Sequence, residues 1–341
     1  VEQGLELADQ IAAVVRRIYK GEAVALHRPF ITDVDARAVA DVAQHDPVGY
    51  GSISYLEECI ADRLGVKHAI AVSSGTAALH LALLAHGVDR NSHVCVPPLT
   101  FAAAAAAVTY CGATPQFTEP MSHDIKIGVD LLGFQCEGHL PEIEDAAEAL
   151  GSVGVDGVPC GAWGEIGVLS FNNNKIVTSG GGGMVVTDDG EKAEFVRHLA
   201  TTAKIKSPFL FEHDKVGYNY RMGNLAAALA IPQVQRLNNT LLQKREIHAI
   251  YRNGFASIKG VTLLEGQPGE MPNYWLNAIE VPPEHRDTIM AELQSRGIGC
   301  RALFTPLPLL QPYRGALFSG KLMAAASSAF ARTILLPSGR P

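Results

Sequence analysis

Apolar residues along this chain fall into two patterns: short unbroken runs, and longer stretches that repeat every three to four positions. "HAIAVSS", "HVCVPP", "IGVLSF" and "GGMVVT" have the length of buried strands. Between them, "GTAALHLALLAHG" reads as a helix stopping at Gly87, and "TFAAAAAAVTYCG" as a helix running from near Thr100 to Gly112. Strand and helix alternate through the first two thirds, which predicts an α/β fold with a mainly parallel sheet covered by helices. From Leu237 the spacing changes. Leu237, Leu241, Ile247, Tyr251 and Phe255 mark one face of a long helix with charges opposite. "NYWLNAIEV", "HRDTIMAELQSRGI" and "ARTILLPS" follow as strand, helix and strand. The expected organisation is a large domain over 1–235, opened by an amphipathic helix in "VEQGLELADQIAAVVRRIYK", and a small C-terminal α+β domain over 236–341.

One region departs from this rhythm. Between "GATPQFTEP" and "EIEDAAEALGS", the stretch "MSHDIKIGVDLLGFQCEGHLP" offers one strand, "IGVDLL", and a loop. A parallel crossover normally carries a helix. Either this crossover is short or residues are absent from the chain.

The 341 residues, 47% of them apolar, suit a large domain plus a smaller one. A formal charge of −7 without a lysine/arginine cluster argues against nucleic acid or an acidic membrane as partner, but not against a phosphorylated small molecule. Six scattered cysteines, with no CxxC or Cys/His grouping, read as buried thiols rather than a disulfide or metal framework. The alanine-rich run after Phe101 is broken by Thr109, Tyr110, Cys111 and Gly112, and no signal-like apolar region opens the chain. The expectation is a soluble cytoplasmic protein.

The chemistry centres on a lysine. "SFNNNKIVTSGGGGMVVT" sets Lys175 between three asparagines and four glycines, where the backbone must turn sharply or something must approach it closely. "SSGTAAL", Ser73 to Leu79, is strand, glycine turn, helix: a phosphate cradle with N–H groups at Thr76 and Ala77, or equally a plain helix cap. No GxxxxGK[ST] occurs, nor a GxGxxG after a strand, so a P-loop or dinucleotide site is unsupported. Asp145 follows a short strand, where a carboxylate faces a ligand or caps a helix. Glu144 and Glu148 read locally as surface or capping groups, and a hydrolase built on Asp145 and Glu148 has no diagnostic spacing. A lysine forming a Schiff base with pyridoxal phosphate needs a carboxylate for the pyridinium nitrogen, donors for the phosphate and an apolar face for the ring. Asp145, the Ser73–Ala77 turn with Ser170, and Phe101 supply all three.

These segments, together with "VPPLTFAA", "HDKVGYNYRMGNLAAALA" and "NYWLNAI", occur in order over roughly 50–340 and resemble the DegT/DnrJ/EryC1/StrS nucleotide-sugar aminotransferases of the fold-type I pyridoxal-phosphate class. "RHLATTAK" and "NYWLNAI" are similar to the LegC-like branch, which aminates C4 of nucleotide-linked 4-keto-6-deoxy sugars. The resemblance implies that Lys175 carries the cofactor and moves protons. It implies that Asp145 pairs with the ring nitrogen, that Glu148 lies near the 3-oxygen and that Phe101 stacks on the ring. Gly75, Thr76, Ala77 and Ser170 would bind the phosphate, and Asn219 would reach the cofactor phosphate of the neighbouring subunit in a homodimer. L-glutamate would donate the amino group to a nucleotide-linked keto sugar. Two departures stand out: the histidine usual in the segment matching "FTPLPLLQPYR", around Pro308, is absent, and so is the crossover before Glu142. A sugar dehydratase using the same cofactor, or a cofactor-binding relative without turnover, are the alternatives. Members that dehydrate carry histidine in place of the lysine, which favours amination here.

Overall fold

The computed structural model describes residues 2–21, 23–120 and 125–341. In chain order the helices are α1 (Glu2–Ile18), α2 (Asp33–His45), α3 (Gly51–Leu64), α4 (Gly75–Ala85), α5 (Ala103–Tyr110), α6 (Gly190–Ala200), α7 (Asn224–Gln235), α8 (Leu237–Phe255), α9 (Arg286–Ser295) and α10 (Gly320–Arg332). Seven strands form the larger sheet: β1 (His68–Val72), β2 (His93–Cys95), β3 (Thr114–Gln116), β4 (Ile125–Val129), β5 (Ile143–Asp145), β6 (Ile166–Ser170) and β7 (Gly183–Thr187). A two-residue hairpin, β8 (Lys204–Ile205) and β9 (Glu212–His213), follows. The smaller sheet holds β10 (Thr262–Leu263), β11 (Asn277–Glu280), β12 (Arg301–Ala302) and β13 (Thr333–Leu336).

The large sheet runs β1-β7-β6-β5-β4-β2-β3. Strands β3, β2, β4, β5 and β6 are parallel, and β7 lies antiparallel between β6 and β1. The ends of β1, β5 and β6 therefore share one edge with the start of β7. In register, Gly183 sits between Val72 and Ser170, and Asp145 lies beside Val129 and Val168. The short apolar runs are buried because both faces are covered. Leu79, Leu83, Val108 and Val196 close one face, and Leu56, Ile60, Ala227 and Val234 close the other.

Helix α8 follows the spacing read from the sequence, burying Leu237, Leu241, Ile247, Tyr251 and Phe255. Helix α1 buries Leu7, Ile11, Val14 and Val15 on the C-terminal layer, against Tyr251, Ile289, Ile298 and Ile334. The small sheet is antiparallel, with β13 between β11 and β12.

Two local expectations are corrected. The strand anticipated at "IGVDLL" is Ile125–Val129, and Leu131–Gly133 is a 3-10 turn, since Leu132 takes φ 59° and leaves extended backbone. The alanine-rich stretch after Asp145 forms turns, so Asp145 caps no helix. The crossover from β4 to β5 holds only that 3-10 turn and loop. Side chains supply its order: Glu142 accepts the Lys126 amide at 2.8 Å, Lys126 Nζ donates to the His139 carbonyl, and Asp130 accepts the Cys136 amide at 2.9 Å. Met121–Asp124, part of the anomalous stretch, lie outside the described residues. None of the six cysteines forms a disulfide; Cys95, Cys160 and Cys300 are buried and the others half-buried. No helix among the described residues is long and apolar enough to cross a membrane.

Beneath the sheet edge lies a fully buried pair of acids. Glu144 accepts the amides of Gly161, Trp163 and Gly164 at 2.7–2.9 Å, whereas Asp130 Oδ2 has no N–H or O–H partner. Burial first, then the adjacent Glu144 carboxylate, push Asp130 well above the ordinary carboxylate range. The same surroundings favour the protonated form of Asp130. Because the folded value is raised, this contribution is present at acid pH and declines as pH climbs above the unfolded value of about 4. Asp130→Asn, which keeps a donor without a titrating group, is expected to flatten the fall in stability between pH 5 and 8. Asp130→Leu is expected to cost roughly 1–3 kcal/mol at pH 5. Urea melts across pH check both.

Candidate active site

The shared sheet edge opens into a cleft of about 420 Å³ between the two sheets. It is lined by Ser74, Gly75, Thr76, Phe101, Asp145, Glu148, Ser170 and Lys175 from the larger part, and by Trp275, Arg301 and Phe304 from the C-terminal part. Residues separated by a hundred positions thus meet because β1, β5 and β6 end together.

The phosphate-sized corner is set by bare backbone. A Cβ on Gly183 would lie 2.4 Å from the Ser74 carbonyl carbon, and one on Gly75 would lie 3.0 Å from Ser170 Cβ. Glycine at both positions brings the start of α4 against the Ser170 hydroxyl. The amides of Gly75 and Thr76 open the helix and have no intrahelical acceptor, while its dipole favours an anion. The Ala77 amide is already engaged: it donates to the Ser74 hydroxyl at 3.0 Å. Ser74 is the helix cap, and Ala77 itself is buried outside the cleft lining.

Lys175 sits on the turn after β6, where its amide donates to the Asn172 carbonyl at 3.0 Å. Its Nζ lies 3.4 Å from Glu148 Oε1 and 4.1 Å from the centre of the Trp275 ring. Glu148 is fixed by the Leu132 amide at 2.9 Å on its other oxygen. Asp145 lies at the end of β5, its carboxyl accepting the Ala147 amide at 3.2 Å. Burial pushes its pKa up to about 6, against the pull of that amide and of Lys175. Phe101 is 58% exposed and meets Phe304 edge-on at 5.8 Å, so its face is available to a ring.

Asn219 is not in this cleft. It lines a separate depression with Tyr50, Lys204 and Arg221, and Arg221 stacks on Tyr50 at 3.3 Å. In the segment lacking the usual histidine, Leu307 is buried in the core, its amide donating to the Pro98 carbonyl at 2.7 Å.

The sequence reading missed the C-terminal wall. Asn273 is its organiser: its side chain donates to the Glu148 and Leu150 carbonyls and accepts the Trp275 amide at 2.8 Å. Trp275, one of two tryptophans in the chain, lay in a segment valued only as a landmark.

A lysine, a buried carboxylate and a helix-start corner of free amides thus meet around one aromatic-walled cleft. The chain belongs to the DegT/DnrJ/EryC1/StrS aminotransferase family, whose model matches residues 30–133 and 134–340. The GDP-perosamine synthase of Vibrio cholerae is 33% identical, over 76% of this chain and 78% of that protein. The aminotransferase TlmJ from Streptoalloteichus hindustanus superposes with a TM-score of 0.86 at 26% identity, over 93% of each chain. DesI, solved in the presence of its TDP-sugar product, gives 0.83 at 28% identity, over 93% of this chain and 88% of that one. The fold is thus the fold-type I architecture of these enzymes, and the cofactor is pyridoxal 5′-phosphate.

Proposed function

We propose that this aminotransferase moves an amino group from L-glutamate to C4 of a nucleotide-linked 4-keto-6-deoxy sugar. The observation that carries the reading is the convergence of Lys175, Asp145 and the Gly75–Ser170 corner on one cleft in a chain of this family. The nucleotide-sugar relatives support the substrate class, and the "RHLATTAK" and "NYWLNAI" segments support C4 as the carbon aminated.

The residues fit the cofactor. The Gly75 and Thr76 amides and the Ser170 hydroxyl would hold its phosphate, with Ala77 contributing through the helix start rather than its own occupied amide. Asp145 would hold its carboxylate against the pyridinium nitrogen, Phe101 would cover one ring face and Glu148 would lie toward the 3-oxygen. Bound there, pyridoxal phosphate supplies the aldehyde that exchanges amino groups and the electron sink for the carbon acid. Lys175 would then move the proton as general base and acid, its ammonium held between Glu148 and Trp275. Arg301 is the one guanidinium among the described residues lining the cleft, and it suits the α-carboxylate of the donor.

Asn219 stands apart from the cleft of its own chain, and its depression carries Lys204 and Arg221. That placement supports a homodimer in which Asn219 reaches the partner's cofactor phosphate. The substrate's nucleotide supports a cytoplasmic location, where nucleoside triphosphates are made.

The test is a visible spectrum of the purified protein with pyridoxal phosphate, before and after excess L-glutamate. Yellow absorbance that glutamate bleaches, and that a 4-keto sugar nucleotide restores, is the expected result. Yellow absorbance indifferent to every amino donor would overturn transamination and favour a dehydratase or a relative without turnover.

A further inference from the structure

Opposite Glu148, the Lys175 amine faces an indole. Trp275 is buried, yet its ring face looks onto the Lys175 amine at 4.1 Å. Both the indole and the backbone of Trp275 are tied to other parts of the chain. Its Nε1 donates to the Asn174 carbonyl at 2.7 Å, on the turn that carries Lys175. Its amide donates to Asn273 Oδ1, and its carbonyl accepts from the buried Lys244 at 3.1 Å. His27 meets the ring edge-on at 6.2 Å. The Asn174 bond and the His27 edge hold the indole with its face toward the amine.

We propose that Trp275 is a positioning residue whose indole face is the seat of the Lys175 amine whenever that amine is not bonded to the cofactor. The inference rests on the cofactor reading of the cleft. The donor's amino group would take the lysine's place in the first half-reaction, and the lysine would bond again only at the end of the second, so in between its freed amine must stay close enough to move a proton. A flexible four-carbon side chain released into an open cleft loses that position. A cation over an indole face is attracted by the ring quadrupole, most strongly where water is excluded. Glu148 at 3.4 Å supplies the charge on one side, and the indole supplies a neutral surface on the other. Such a seat restrains the amine without forming the bidentate, charge-locked pair that would hinder its return.

The first measurement needs no cofactor. With Trp163→Phe, Trp275 becomes the sole tryptophan. The emission of the cofactor-free protein is expected to change when Lys175→Met is added, and to stay unchanged when exposed Lys259 is replaced in the same way. Identical spectra for the Lys175 pair would overturn the seat.

The second is the rate at which cofactor-free protein turns yellow on adding pyridoxal phosphate. Trp275→Leu is expected to slow it roughly 2- to 30-fold, the span of such contacts, while Trp275→Phe keeps most of the rate. Equal slowing by both variants, or by neither, would overturn the proposal. Failure of the parent protein to turn yellow, with the emission change intact, would instead sink the cofactor reading and leave the Lys175–Trp275 contact standing.

Discussion

Lys175→Ala is expected to lower transamination by on the order of 10⁴-fold, the upper end for a positioned acid–base group. Among the described residues no other lysine lines the cleft to take over. Lys244 of α8 lies outside the cleft lining, its amine is committed to the Trp275 and Ser338 carbonyls, and burial lowers its pKa to about 7. The variant is expected to retain the fold, because Glu148 keeps the Leu132 amide. It should still bind pyridoxal phosphate through the α4 corner, without forming the yellow species by itself. Small primary amines added to the solution are expected to restore part of the rate, since the deletion leaves a lysine-shaped space between Glu148 and Trp275. Single-turnover kinetics with and without methylamine, beside circular dichroism of the variant, check the set. A variant that keeps more than a tenth of the parental rate would remove Lys175 from the chemistry.

Asp145→Asn is expected to move activity and stability in opposite directions. Loss of a preorganised charge at a reacting centre costs about 10²–10³-fold in turnover, because the neutral amide cannot hold the ring nitrogen protonated. In the cofactor-free protein the same carboxylate is a burden. Its folded pKa of about 6 lies above the ordinary 3.8, chiefly through burial. A raised folded value means stability present at low pH is lost as pH climbs from about 4 through about 6, by up to about 3 kcal/mol. Asparagine does not titrate. The cofactor-free variant should therefore match the parent near pH 4 and exceed it at pH 7.5, as read by urea midpoints. Pyridoxal phosphate should narrow that gap, because its cationic nitrogen relieves the parent's carboxylate. A variant less stable than the parent at pH 7.5 would show that the Ala147 amide and Lys175 outweigh burial.

Strands β1, β2, β6 and β7 were legible because each is a short, mostly buried apolar run, whereas β3, β10 and β12 carry no such run. Helix α8 was legible because its stripe of five residues is buried, Leu237 and Leu241 against the large sheet's helices and the other three in the C-terminal layer. The insertion of β7 between β1 and β6 was not. That neighbourhood depends on Gly183 admitting the Ser74–Gly75 backbone, a contact between positions more than a hundred apart. Lys175, Asp145, Phe101 and Ser170 were legible as a set since each follows or ends a predicted element. Trp275 and Asn273 were not, because their role comes from packing across the cleft rather than from local pattern. The loop between β4 and β5 was visible only as an anomaly. Its order comes from carboxylates and a lysine bonding backbone groups, which no hydrophobic period records.

Helix α1 carries a consequence for how the chain is made. Its apolar stripe is complete once Val15 is made, but Ile289, Ile298 and Ile334, on which it also rests, emerge some 270 residues or more afterwards. At about 5–20 residues per second, Ile11 and Val15 wait on the order of a quarter to a full minute for their partners. Through that interval the nascent chain presents a greasy amphipathic helix to the ribosome surface, to holdases and to sibling chains on the same message.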